Sequence, residues 1–255
     1  CVKRVAPRAI FRLFSPPHAP FAKCLGYIDK LVLFPAALRA CVRRARRVGG
    51  PLIVHVCDHS NSPYLCCLGK TPSLITIHDL LAVRRARGEF GGGAGGPLSR
   101  CYQRLIVCGL RRARHAICDS DATRNNFQQI IGRPAGVFQT VPVPLDPVYA
   151  EALSSGAGGT HRGPDPGRSA ETPRYLLHVG AGAWYKNRER LVDAYALVAP
   201  RMPDAPHLRI VGPELEPALR ARVQAAGLSD RIHVLTDVSD AQLRDLYTAA
   251  ECLVF

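Results

Sequence analysis

From Pro51 onward, short apolar runs alternate with segments whose apolar residues recur at helical spacing. The runs in the first half are LIVHVC (52–57), SLITIHD (73–79), HAICDS (115–120) and VFQTVPV (137–143). The apolar residues of 99–113 recur as on one face of a helix, and Ser120 is suited to cap a second helix after it. Strands that alternate with helices predict a parallel sheet covered by helices, which is an α/β fold.

A second series of the same kind begins at Tyr175. Its apolar runs are YLLHV (175–179), HLRIVG (207–212), RIHVL (231–235) and CLVF (252–255), with helices predicted at about Pro217–Ala226 and at Ser239–Ala249. Between the two series, residues 151–174 are rich in Gly, Pro and Ser and have no apolar period, which is typical of a linker. We therefore predict two α/β domains, at 1–150 and 175–255, joined by a linker at 151–174.

The first strand of the second series leads into the strongest chemical signal in the chain. A Gly-x-Gly turn at Gly180 and Gly182 follows the strand, and Lys186 lies where the next helix is predicted to begin, with Asn187 as its N-cap. The first N–H groups of a helix are unpaired and its dipole is positive there, which favours an anion. A phosphate-bearing ligand is one interpretation, and a tight turn beside a solvated lysine is the other.

Charge is distributed unevenly along the chain. Residues 1–150 hold 22 Lys and Arg against 7 Asp and Glu, whereas residues 151–255 hold 12 against 13. A basic first half indicates an anionic partner such as a membrane surface, lipid phosphate or nucleic acid. We do not expect nucleic acid, because the basic half lacks a recognition motif and interleaved aromatic residues.

Several other classes of protein are disfavoured. No apolar run approaches the roughly eighteen residues of a membrane span, and the first residues lack the apolar core of a secretory signal. We therefore expect a cytoplasmic location, with attachment to the inner face of the membrane through the basic half.

The ten cysteines contain no Cys-x-x-Cys spacing, so we expect reduced thiols and no zinc site. Asp119 and Asp121 spell Asp-x-Asp, a metal and nucleotide-sugar signature, but we discount this short pattern because Ser120 fits a helix cap.

Four stretches together resemble the GT-B glycosyltransferases of retaining family 4, which have two Rossmann-like domains facing across a cleft. The resemblance covers about Pro51–Phe255. It is carried by the turn with Val179, Gly180 and Lys186, by Thr76-Ile77-His78-Asp79, by Ser120-Asp121-Ala122-Thr123, and by RIVGPELEPALRARVQAAGLSDRIHVLTDVSDAQLRDLYTAAECLVF (209–255).

The resemblance implies transfer of a sugar from a nucleotide diphosphate donor to an acceptor with retained anomeric configuration. Lys186 and the amides after Gly180 would stabilise the leaving diphosphate, and His78 would bind the donor sugar across the cleft. The resulting candidate sites are catalytic His78 and Lys186, and donor-binding Gly180, Ala181, Gly182, Asn187, Gly212 and Asp237. We expect no metal or other cofactor, a UDP- or GDP-linked sugar as donor, and a glycan or lipid-linked acceptor.

Two departures from the family pattern affect these expectations. The family often carries arginine directly after the turn glycine, where this chain has Ala181. Its glutamate pair would follow a few residues beyond Phe255. Because the sequence begins without Met and stops within a predicted strand, we expect a fragment whose second domain is truncated and which binds donor poorly. The alternatives are a non-catalytic family member and a basic module that binds a membrane or nucleic acid, and His78 has the alternative role of an ordinary strand-end histidine.

Overall fold

The computed structural model describes residues 26–91, 95–132, 136–147, 149, 174–202 and 204–255. The chain divides into two compact units, unit 1 (Cys1–Val143) and unit 2 (Pro144–Phe255). Apart from Arg174, the predicted linker at 151–174 lies outside the described residues. The predicted domain bounds of 1–150 and 175–255 stay predictions.

Unit 1 contains a four-stranded parallel sheet in the order β1-β2-β3-β4. The strands are β1 (Val54–Val56), β2 (Ser73–Ile77), β3 (His115–Cys118) and β4 (Val137–Thr140). The helices are α1 (Phe34–Val48), α2 (Leu81–Ala86), α3 (Pro97–Leu110) and α4 (Asp121–Ile131). A π-helical turn (Asp29–Leu33) leads into α1, and a 3₁₀-helix (His59–Cys67) follows β1.

The core of unit 1 forms where β2 meets the helices. Ile75 and Ile77 of β2 are fully buried with Leu110 of α3 and Phe127 of α4. Branched side chains suit a pleated strand that is covered by helices, which is why this run forms an interior strand. Ser120 caps α4 as predicted, because its Oγ accepts the N–H of Thr123 at 3.2 Å.

Unit 2 contains a second parallel sheet in the order β7-β6-β5-β8. Its strands are β5 (Tyr175–Val179), β6 (His207–Val211), β7 (Ile232–Leu235) and β8 (Cys252–Leu253). Its helices are α5 (Arg188–Val198), α6 (Pro217–Ala225) and α7 (Asp240–Ala249), and 3₁₀ turns lie at Trp184–Lys186 and Ala199–Arg201. The predicted strands are all present in both units, each at or within its predicted run.

The order of strands in unit 2 reverses direction at β5. From β5 the chain adds β6 and then β7 on one side, and β8 pairs with the other side of β5. In open parallel sheets, ligands bind at the carboxyl ends of the strands beside such a reversal. The fold therefore marks the end of β5, which is the position of the Gly180 turn, as the preferred place for a ligand.

Candidate functional site

The predicted donor-binding residues of unit 2 gather at one edge of its sheet. Gly180 directly follows β5, Gly212 directly follows β6, and Asp237 lies two residues after β7. All three strands are parallel, so their carboxyl ends meet at the same edge. The structure thus brings Gly212 and Asp237 to the edge of the sheet that carries the Gly180 turn.

The turn after β5 joins the ends of two neighbouring strands and leads into α5. The N–H of Gly180 donates to the carbonyl of Val211 at 3.0 Å, which joins the ends of β5 and β6. A 3₁₀ turn at Trp184–Lys186 then precedes α5. Asn187 occupies the predicted N-cap position with left-handed dihedral angles, φ 52° and ψ 37°, but its side chain accepts no hydrogen bond from α5. The structure therefore confirms Asn187 at the N-cap position with Lys186 directly before it, although the cap lacks its side-chain hydrogen bond.

Lys186 lies directly over the turn glycine. A Cβ atom built on Gly180 would come within 3.1 Å of Cγ and Cδ of Lys186, so a side chain at this position would displace the stem of the lysine. The ammonium group stacks on the ring of Phe255, with Nζ 3.9 Å from the ring centroid. Among the described residues, no carboxylate forms an ion pair with Lys186. Its positive charge is therefore available to an anion.

The remaining donor-binding candidates differ in exposure and in backbone conformation. Ala181, Gly182 and Asn187 are exposed. Gly212 has a φ of 141°, a conformation that side-chain-bearing residues rarely adopt. Asp237 is exposed and has a φ of 53°, so it lies in the left-handed region that asparagine and aspartate tolerate better than other residues.

Arg188 is a functional candidate that the sequence analysis missed. It is 7% exposed, and its guanidinium bonds three backbone carbonyls in the turns after β5 and β6. Nη1 donates to Pro213 O at 2.7 Å, and Nη2 donates to Gly180 O and to Val211 O, the latter at 3.5 Å. Burial lowers the pKa of Arg188 from its usual value. An arginine beside a predicted helix start carries no sequence signal that separates it from a solvated cation.

His178 is a second residue that the pattern did not single out. It is 2% exposed within β5, and its Nδ1 donates to the carbonyl of Val254 at 3.0 Å, just after β8. Burial lowers the pKa of His178, and the positive charges of Arg188 and Lys186 lower it further. A neutral imidazole therefore ties β5 to the segment after β8 beneath the turn.

A cavity of about 300 Å³ lies beside the turn, between the start of α5 and the start of α6. Three glutamates are among the residues that line it: Glu189, Glu214 and Glu216. Arg188 and Arg222 line it as well, and two of the glutamates are paired, Glu189 with Arg222 and Glu214 with Arg220. Gly182 and Asn187, two of the donor-binding candidates, also line this cavity.

In unit 1, His78 lies just beyond β2, at the carboxyl edge of its own sheet. Nδ1 of His78 is 2.7 Å from Oδ2 of Asp119, and Nε2 donates to the carbonyl of Cys57 at 3.0 Å. Nε2 must carry a proton, because a carbonyl can only accept a hydrogen bond. The Asp119 carboxylate also only accepts, so its hydrogen bond with Nδ1 forms when Nδ1 carries a proton as well. The hydrogen bond with Asp119 raises the pKa of His78, although burial opposes it and the bond with Cys57 adds to it. The ring is favoured as an imidazolium.

Asp119 therefore gains a role that its Asp-x-Asp pattern does not indicate. It fixes the orientation of His78, while Asp121, the other acidic residue of that pattern, accepts a hydrogen bond from Thr140 Oγ1 at 2.6 Å. Within the described residues there is no cluster of three His, Cys, Asp or Glu side chains that could hold a metal ion. The neighbouring histidines have local contacts: exposed His55 meets Thr76 Oγ1 through Nε2 at 2.8 Å, and His59 is buried.

Asp119→Asn should lower the pKa of His78. The substitution removes the negative charge of Asp119 and its hydrogen bond to the ring, and both favour the protonated imidazole. A titration of the imidazole ¹H–¹³C signals would measure the shift. The pair stabilises the fold fully below the usual histidine pKa of 6.5, and this contribution is lost as the pH rises through the higher folded-state value. Asp121→Asn is the matched control. An unchanged His78 pKa in Asp119→Asn would contradict the assignment.

One family model matches part of the chain. Residues 164–255 match the family model of the Glycosyl transferases group 1. The matched region contains the Gly180 turn, Lys186, Gly212 and Asp237. No curated protein matches the chain.

Solved structures share the architecture of the chain. The UDP-forming α,α-trehalose-phosphate synthase of Burkholderia xenovorans is 14% identical, with a TM-score of 0.56 over 90% of this chain and 57% of that one. The E. coli trehalose-6-phosphate structure bound with UDP-2-fluoro glucose is 10% identical, with a TM-score of 0.57 over 90% and 57%. The lipopolysaccharide outer core galactosyltransferase WaaB is 15% identical, with a TM-score of 0.50 over 91% and 55%.

The chain has the GT-B fold. It spans little more than half the length of these solved structures. At such low identity the likeness concerns the fold and not the substrate. Of the helices in the described ranges, none has both the length and the apolar character that crossing a bilayer would require.

Proposed function

We propose that the protein to which this chain belongs transfers a sugar from a nucleotide diphosphate donor to an acceptor hydroxyl. The observation that carries the proposal is Lys186: a cation without a carboxylate partner among the described residues, held over a Gly-x-Gly turn at the strand-order reversal of a GT-B sheet. The match of residues 164–255 to the Glycosyl transferases group 1 supports it.

The chemistry requires a positive charge at this position. In the transfer, the bond between the anomeric carbon and the β-phosphate oxygen breaks, and its electron pair remains on the phosphate. The acceptor hydroxyl oxygen bonds to the anomeric carbon, and its proton passes to the leaving diphosphate or to water. Negative charge thus grows on the diphosphate, where Lys186 and the exposed backbone N–H groups of the turn stabilise it.

We assign the other donor contacts to residues at the same edge of the sheet in unit 2, and one contact to unit 1. We place the diphosphate against Ala181, Gly182 and Lys186, with Asn187, Gly212 and Asp237 as further donor-binding residues. His78 is assigned to the donor sugar, and as an imidazolium it would donate to a sugar oxygen after giving up Cys57 or Asp119 as a partner. We propose that the reaction retains the anomeric configuration and requires no metal.

A panel of UDP- and GDP-linked sugars tests the function directly. The full protein is incubated with each donor, and release of nucleoside diphosphate is followed in the presence of EDTA. Turnover of one donor is expected, and ¹H NMR of the product would give the anomeric configuration. A full protein that neither binds nor turns over any donor would leave only the non-catalytic alternative.

For the acceptor we propose a lipid-linked or surface glycan reached from the inner face of the membrane. The supporting observation is α1, which carries arginines at positions 39, 43, 44, 46 and 47 and no acidic residue. All five are exposed, whereas Phe34 and Leu38 of the same helix are buried. A row of exposed guanidinium groups is complementary to anionic lipid headgroups.

Vesicle co-sedimentation tests this membrane proposal. Binding to phosphatidylcholine vesicles should rise when phosphatidylglycerol is included, and should fall about fivefold for each of Arg39, Arg43 and Arg47 changed to glutamine, since each basic residue near such a surface contributes about 1 kcal/mol. Arg190→Gln and Arg220→Gln in unit 2 serve as controls. Sedimentation that does not depend on the anionic lipid would contradict the proposal.

A further inference from the structure

The guanidinium of Arg188 holds the backbone of two turns together at the edge of the second sheet. It donates to Gly180 O in the turn after β5 and to Pro213 O and Val211 O at the end of β6. The residue is more than nine-tenths buried. Planar guanidinium groups suit several acceptors at fixed angles, which a lysine ammonium does not match.

The contact with Gly180 fixes the direction of the next amide. In a trans peptide unit the carbonyl of one residue and the N–H of the following residue point to opposite sides, and the described residues contain no cis peptide bond. Since the carbonyl of Gly180 points toward Arg188, the N–H of Ala181 points away from it. The arginine therefore determines which way this N–H faces.

The N–H of Ala181 is the first one in the turn that remains available. The preceding N–H, of Gly180, is used by the carbonyl of Val211 at 3.0 Å. No acceptor in the described part of the chain takes the N–H of Ala181, and Ala181 is exposed. With alanine at this position, the backbone N–H is the one hydrogen-bond donor that residue 181 offers to an anion.

The charge of Arg188 reinforces this orientation. Its hydrogen-bond partners are all neutral carbonyls, and no carboxylate among the described residues forms an ion pair with it. A buried positive charge behind the Gly180–Ala181 peptide increases the attraction of its N–H for an anion on the opposite side. The contribution reaches the ligand through the peptide group, because the guanidinium itself is buried.

We infer that Arg188 is a positioning residue that aims the N–H of Ala181 at the diphosphate of the donor. The inference rests on the proposed function, since it assumes that the turn binds a nucleoside diphosphate. It assigns to Arg188 an effect on diphosphate binding that is separate from its effect on folding.

Isothermal titration of the full protein with UDP and GDP, and with uridine and guanosine, tests the inference. Arg188→Gln should weaken binding of the diphosphate about ten- to a hundredfold, the range for one hydrogen bond to a charged group. It should leave binding of the matching nucleoside unchanged. Arg188→Lys should recover part of the loss, and Arg190→Gln, which removes an exposed cation from the same helix, should have no effect.

Amide NMR of the wild-type full protein provides a second test, which requires no variant. Addition of the diphosphate should shift the N–H signal of Ala181 downfield, and addition of the nucleoside should not. Equal losses for diphosphate and nucleoside in a folded Arg188→Gln, or an unmoved Ala181 signal, would overturn the inference while leaving the donor site in place. A full protein that binds neither UDP nor GDP would overturn the proposed function itself.

Discussion

Lys186→Ala should lower the rate of sugar transfer about a hundredfold or more, which is the loss typical of removing one stabiliser of developing negative charge. The ammonium lies over Gly180 at the end of β5 and has no carboxylate partner among the described residues. Its interaction strengthens as charge moves onto the leaving diphosphate. The loss should therefore appear mainly in kcat, with a smaller change in KM.

Steady-state kinetics of the full protein with its donor would measure this effect. Arg190→Ala is the matched control, because it removes an exposed positive charge from the same region without touching the turn. Lys186→Arg should retain part of the activity, since it keeps the charge but changes its position. Wild-type rates in Lys186→Ala would refute the assignment of the turn to the leaving group.

Gly212→Ala should destabilise unit 2 by about 3 kcal/mol, through backbone strain at a glycine-only φ and overpacking of the turn. The φ of Gly212 is 141°, and a Cβ atom there would overlap the carbonyl oxygen of Gly180 and Nη2 of Arg188. Both neighbours are fixed, the first by the turn and the second by burial. The variant should also weaken diphosphate binding, because it displaces the Gly180–Ala181 peptide.

Urea unfolding monitored by tryptophan fluorescence is suited to this measurement, since Trp184 lies in unit 2 and is the single tryptophan of the chain. Gly227→Ala separates the two causes. Gly227 also has a positive φ, 65°, but a Cβ atom there would meet nothing within 4 Å. The Gly227→Ala variant should therefore lose only about 1 kcal/mol of stability, from the backbone strain of a left-handed alanine. Equal losses in the two variants would mean that the overlap at Gly212 is relieved by a small shift.

The alternation of strands and helices was predictable because it depends on local patterns. Each apolar run with β-branched residues forms a strand, and Ser120 and Ser239 cap helices as their positions indicate. The elements that were not predicted are those whose apolar residues do not recur at regular spacing. The 3₁₀-helix at His59–Cys67 contains Pro63 and has almost no amphipathic character, so its geometry is decided by packing against α3. The helix predicted at 99–113 ends earlier, at Leu110, because the chain turns there to enter β3.

The candidate site was predictable only for residues adjacent in sequence to the strand ends. Gly180 and Lys186 stand out because a turn and a cation follow an apolar run. Arg188 and Asp119 do not, because their roles depend on partners distant in sequence. Arg188 bonds Pro213, 25 positions away, and Asp119 bonds His78, 41 positions away. Which carbonyl or imidazole a side chain reaches is set by how the strands are ordered in each sheet.

The hydrogen bond from His178 to Val254 has a consequence for the order in which unit 2 acquires its structure. The two residues are 76 positions apart, and Phe255, next to Val254, stacks on Lys186. During synthesis β5, β6 and β7 all leave the ribosome before β8, and closing such a long loop is entropically costly. The Gly180 turn itself is held by β6 and Arg188. The contacts of His178 and Lys186 with Val254 and Phe255 can form only after the segment around β8 has been synthesised, so in a nascent chain Lys186 acquires its final contact after the rest of the turn.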